Sequence, residues 1–148
     1  MNTYQDHDIR LEYPADWQLD EQAAGDDLTI TIQSDNTSLW AITLLAKRPA
    51  PDRVLKTAIA AYEEEYPDLE VETVTDSVLE VDHLARELYF VQYEFVTRVG
   101  LRVFSVGNRT ALVWFQAADS DFEASRPVLD AITASLFIED SPQPFWAH

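Results

Sequence analysis

Residues 39–46 are apolar on both strand parities: Trp40, Ile42 and Leu44 alternate with Leu39, Ala41 and Leu45. Successive side chains leave a strand on opposite faces, so such a segment has no face to give to water. The sheet that holds it is therefore covered on both sides. Its neighbours differ. Ile9, Leu11 and Tyr13 alternate with Arg10 and Glu12, and Leu28, Ile30 and Ile32 alternate with threonines, as half-buried strands do.

Two helices supply the covering layers. Pro49, Pro51 and Asp52 open the first, which runs to about Tyr66 and is stopped by Pro67. Val54, Leu55, Ala58, Ile59, Tyr62 and Tyr66 recur along it at three- and four-residue spacing, an apolar stripe facing a core. The second spans about 121–134, with Ser120 as N-cap and Glu123 completing a capping box. Phe122, Leu129, Ile132 and Leu136 form its buried face, and Pro127 is expected to kink or split it. Between the helices lie strand-like segments at 69–75 and 78–81, a turn at Asp82-His83, and a long β-rich stretch over 85–117. Gly107-Asn108 marks a hairpin joining 101–106 to 110–117. The other break in that stretch is expected between Glu94 and Gly100.

The element order and the hairpin-length connections give the α+β class. The expected architecture is a mostly antiparallel sheet of about six to eight strands with helices on both faces, an α/β/α sandwich. A length of 148 residues matches one domain. Its core is placed at about 8–139, with 140–148 as a peripheral tail carrying Phe145 and Trp146.

Composition removes several functions. With 27 acidic residues against 10 basic, the net charge of −17 repels phosphate backbones, so nucleic acid is not an expected partner. No run approaches the roughly 18 apolar residues of a spanning helix, so membrane insertion is not expected. The first ten residues are polar and unlike a signal peptide, and the absence of cysteine fits a reducing compartment, which points to the cytoplasm. Three glycines cannot build a phosphate-binding glycine loop, and without thiolates there is no zinc ribbon or iron–sulfur site. Of His7, His83 and His148, only His83 has an ordered context, and its place after Asp82 suits a turn better than a general base. The carboxylates at Asp119, Asp121 and Glu123 suit a helix start, because Ala124 stands where a calcium loop needs glycine. No catalytic residue, metal or cofactor is expected.

One region inverts the charge. Arg86, Arg98, Arg102 and Arg109 face only Glu87 and Glu94 between residues 85 and 110. Arg98 and Arg102 share strand parity and leave one sheet face. With Tyr89, Tyr93, Trp40 and Trp114 they frame a candidate aromatic and cationic pocket suited to carboxylate or phosphate. The competing reading pairs the arginines with surface acids and places the aromatics in the core.

The opening strand and its corner, Tyr13-Pro14-Ala15-Asp16-Trp17, resemble the entry of the PsbP-like fold. So does the close, Ala111-Leu112-Val113-Trp114-Phe115-Gln116-Ala117, an acidic helix start, then Ile132-Thr133-Ala134-Ser135-Leu136. That grouping embraces an extrinsic photosystem II subunit, a Ran-GTPase release factor and bacterial domains of unknown function, some of which chaperone type VI secretion effectors. The resemblance spans about 8–139 and implies an α/β/α sandwich without a shared catalytic site. The chain lacks a photosystem-binding N-terminus and the basic cluster of a luminal subunit.

The leading expectation is a non-enzymatic binding or adaptor domain, chaperone-like, that holds a protein or peptide segment on a sheet face or at an edge near 94–102. It requires an exposed aliphatic and aromatic surface. The alternative is a small anionic-ligand-binding protein or enzyme using Arg86, Arg98 and Arg102. A structural subunit is a third. Sequence leaves the oligomeric state open.

Overall fold

The structure, a computed structural model, describes residues 1–75, 78–79 and 81–139. The expected tail at 140–148 lies outside the described residues. β1 (Asn2–Asp6) and β2 (Ile9–Tyr13) form a hairpin, followed by β3 (Gln18–Ala24), β4 (Asp27–Gln33) and β5 (Leu39–Leu45). α1 (Pro51–Glu65) precedes β6 (Glu70–Thr73), β7 (Leu84–Gln92), β8 (Phe95–Val106) and β9 (Arg109–Ala118). α2 (Asp119–Ser135) and the short β10 (Phe137–Ile138) follow.

Seven strands form one antiparallel sheet in the order β3-β4-β5-β9-β8-β7-β6. β5 sits inside it, and its double-sided apolar pattern is used as expected. Trp40, Ile42 and Leu44 are buried toward α2, while Ala41 is buried and Leu45 half-buried on the other side. α1 covers the β7–β8 side of that second face, seating Val54 and Leu55 on Leu88, Phe90, Val99, Leu101 and Val103. On the opposite face α2 seats Phe122, Leu129 and Ile132 over Val113, Phe115 and Ala117. The architecture is α+β with helices on both faces.

Several expectations are corrected. Ile9 and Leu11 join the α2-side core, but their strand belongs to a separate three-stranded sheet, β1-β2-β10. β1 and β3 are almost wholly exposed and carry no apolar alternation; each keeps one residue against the core, Tyr4 and Leu19, and Tyr4 reaches across to donate to Glu21. Val78, Leu79 and Val81 are not in a strand. α2 begins at Asp119 with Ala118 as N-cap, so Ser120 lies inside the helix and there is no side-chain cap. It also runs unbroken through Pro127, held by Phe122 and Leu129, which are buried on either side of the proline.

The break expected between Glu94 and Gly100 falls one step earlier. Tyr93 and Glu94 form the two-residue turn between β7 and β8, with φ of 52° and 68°. Both residues are left-handed, as a type I′ turn requires, yet neither is the glycine or asparagine that adopts this region cheaply. Gly100 instead sits in mid-strand opposite Phe115, whose ring lies where its side chain would be.

Candidate functional site

Strand register decides which arginines meet. In β7, Leu88 and Phe90 face α1, so Arg86 faces that side as well, opposite Leu101. Arg98 and Arg102 lie on the other face, toward α2, as their shared parity demands. The expected three-arginine group is therefore split by the sheet itself. Arg102 is 2% exposed and donates to the backbone carbonyls of Leu101 (2.9 Å) and Arg86 (3.3 Å). Arg86 donates to the Ala85 carbonyl at 2.8 Å.

The four aromatics do not converge either. Trp40 is fully buried, and its indole N–H donates to Thr133 Oγ1 at 2.9 Å. Trp114 lies on the α1 face, opposite Leu101. Tyr93 stands in the turn at 85% exposure. Only Tyr89 accompanies an arginine of the group, with the Arg98 guanidinium 5.3 Å from its ring centre.

What forms instead is a stack under α2 in which rings and guanidinium groups alternate. Arg98 lies 4.1 Å from the Phe122 ring centre; Arg126 lies 5.4 Å from Phe122 and 5.2 Å from Phe115; Arg102 lies 5.5 Å from Phe115. Partly desolvated cations over ring faces are each worth about 1–2 kcal/mol. Arg126 ties the stack to acids: Nη1 donates to Glu87 Oε1 at 2.8 Å, and Nε donates to Asp130 at 3.0 and 3.1 Å. Burial works against this charge, but Glu87 and Asp130 outweigh it and hold the proton more tightly than usual. Among the described residues, the acid partner of Arg98 is the exposed Asp119 at 3.7 Å, and its buried Nε has no hydrogen-bond partner. Arg98, Phe122, Glu123, Arg126 and Pro127 line a shallow cavity of about 290 Å³. Sequence reasoning missed Arg126, whose place four residues before Asp130 in a helix was the available signal.

A second surface lies at the end of the same strands. β7 pairs with β6 only as far as Tyr89, and β8 pairs with β9 only from Thr97. The hairpin between them projects past both neighbours. Its tip exposes Val91 at 49%, Phe95 at 65% and Val96 at 42%, besides Tyr93. Tyr66 stacks on Phe90 at 3.9 Å and anchors the base of the projection. The sequence signal was visible but misread: Phe95 and Val96 look like poor loop residues because they are strand residues, paired with Gln92 and Val91 but lying beyond the reach of the β9 ladder.

His83 lines a broad depression of about 540 Å³ with Asp52, Asp82, Leu84 and Ser105. Its Nδ1 lies 2.8 Å from the Val81 carbonyl, as in a turn. Asp6, His7 and Glu21 place three donor atoms together on the surface, where the His7 ring lies 2.6 Å from Glu21 and Tyr4 donates to the same carboxylate. All three are exposed. No helix among the described residues is long and apolar enough to cross a membrane.

No protein-family model and no curated protein matches the sequence. Solved structures do. The cyanobacterial PsbP protein of Synechocystis sp. PCC 6803 superposes with a TM-score of 0.60 at 8% identity, over 93% of this chain and 92% of that one. The fold is PsbP-like. A Pseudomonas aeruginosa protein of unknown function, described as a putative regulator, gives a TM-score of 0.55 at 13% identity over 95% and 99% of the two chains. A Bacteroides thetaiotaomicron structure gives 0.58 at 14% identity; the chain covers 93% of itself but spans only 47% of that protein. At such identities a PsbP-like likeness carries the fold and not the activity.

Proposed function

We propose that the protein is a non-enzymatic binding module that holds a protein or peptide segment at the projecting β7–β8 hairpin. The observation that carries this reading is the tip itself. Val91, Tyr93, Phe95 and Val96 stay exposed on a turn whose two central residues both sit in the left-handed region. Each such residue costs about 1–2 kcal/mol, and backbone strain of this kind collects where a surface has work to do. An apolar tip on a two-stranded support has the form of a binding anchor. The cytoplasm, suggested by a cysteine-free chain, belongs to the same reading.

The test is a comparison of the native chain with a Tyr93→Ser/Phe95→Ser double variant as baits in a cell extract. A protein retained by the first and lost by the second, with equal melting temperatures, supports the reading. Identical retention by both baits removes it.

A second reading has one observation behind it. The buried, unpartnered Nε of Arg98 beside the cavity formed with Arg126 suits a small carboxylate or phosphate. Its test is a thermal shift with acetate, citrate and inorganic phosphate on the native chain and on Arg98→Met. Stabilisation that disappears in the variant supports this reading, and unchanged melting in all three rules it out.

A further inference from the structure

We propose that the partner is a basic, extended segment that adds as an eighth strand to the outer edge of β6, an inference that rests on the binding-module reading above. β6 is the last strand of the seven-stranded sheet, and all four of its residues are exposed. Among the described residues no strand pairs with its outer side. A sheet edge of this kind presents a row of backbone donors and acceptors ready to pair with another chain.

The side chains on that edge specify the occupant. Val71 lies opposite Leu88 and so points to the α1 face, where it is 41% exposed. Glu70 and Glu72 point to the other face, opposite Tyr89 and Glu87. The edge therefore reads acid, apolar, acid, with a period of two. An incoming strand complements it when lysine or arginine alternates with an apolar residue, because side chains directly opposite on one face interact and like charges there repel. The wider field favours the same chemistry. From Thr57 to Ala85 there are nine acidic residues and no lysine or arginine. Such a field draws in a basic ligand and raises its rate of encounter. Beyond Glu70 the added strand runs toward the apolar tip, about two strand spacings of 4.8 Å from β7.

The probe is a fluorescent nine-residue peptide of alternating lysine and valine, with a glutamate–valine peptide of the same length as its counterpart. Binding to the full chain is followed by anisotropy, and exchange of the backbone amides at 70–73 is followed by hydrogen–deuterium exchange. The lysine–valine peptide is expected to bind, to weaken with salt and to slow exchange at 70–73, whereas the glutamate–valine peptide does not bind. Glu70→Lys/Glu72→Lys is expected to weaken binding about tenfold or more, from two exposed pairs turned into repulsions. That variant leaves the chain strongly acidic, so binding that survives it is non-specific attraction and overturns the proposal. Unslowed exchange at 70–73 overturns it too, as does no binding of either peptide. Loss of binding in Tyr93→Ser/Phe95→Ser with none in Glu70→Lys/Glu72→Lys retains the tip and refutes the edge. The opposite pattern retains the edge and refutes the tip.

Discussion

Gly100→Ala tests whether the sheet is built around a ring laid over a bare backbone. A Cβ placed on Gly100 falls 2.2 Å from Phe115 Cζ, 2.3 Å from Cε2 and 2.9 Å from Cε1. Carbon atoms rest at about 3.5–4.0 Å, so the ring must retreat by more than about 1 Å. It has little room, being 2% exposed with the Arg126 and Arg102 guanidinium groups 5.2 and 5.5 Å from its centre. Overpacking a filled core costs about 1–3 kcal/mol, and contacts this short belong in the upper half of that range. Removing a strand glycine returns about 0.5–1 kcal/mol of chain entropy. The net loss is about 1–2.5 kcal/mol, a fall in Tm of about 2–10 °C for a chain of this size. Thermal and urea unfolding by circular dichroism measure it. Phe115→Leu, which removes the ring atoms involved, should rescue the substitution, leaving the double variant more stable than the sum of the single effects by about 1 kcal/mol. A Gly100→Ala chain as stable as the native one, or strictly additive effects in the double variant, would refute the packing argument.

Three further outcomes follow from the geometry. Glu94→Gly relieves one left-handed residue and should stabilise the chain by about 1 kcal/mol, read as a higher urea midpoint at unchanged slope; a lower midpoint contradicts the strain. Arg126 and Arg98 each make two ring contacts, but Arg126→Leu also strands part-buried Glu87, so it should cost more than Arg98→Leu, whose acid partner is the exposed Asp119, by about 1 kcal/mol or more; equal losses contradict the unequal roles. Burial, then Tyr66 and Glu65, push the Tyr62 phenol up to about 12, against an ordinary value near 10. The folded state therefore holds this proton longer than the unfolded one, so the contribution is complete below pH 10 and is lost as pH rises from about 10 to 12. Tyr62→Phe should flatten stability in that window, and an unchanged alkaline slope would show that Tyr62 is not its source.

Several site residues were within reach of the sequence and others were not. The shared face of Arg98 and Arg102 follows from parity inside one strand. That Arg86 lies on the opposite face does not, because the frame between β7 and β8 depends on where the turn falls. A turn at Tyr93-Glu94 has no glycine or asparagine to announce it. Trp40 and Trp114 looked equally available, yet sheet order put one against α2 and the other against α1. Arg126 was invisible as a partner of Phe115 because only the docking of α2 brings them together.

The layered plan needed nothing beyond the chain's own alternation. A double-sided strand and two apolar helical stripes admit few arrangements other than a sheet between helices, since each apolar face must be hidden from water. Tertiary structure alone decided which strands stand at the sheet's ends, which hairpin outran its neighbours and which cations met which rings. Those outcomes depend on register and on contacts between residues far apart in sequence, and local periodicity carries no record of either.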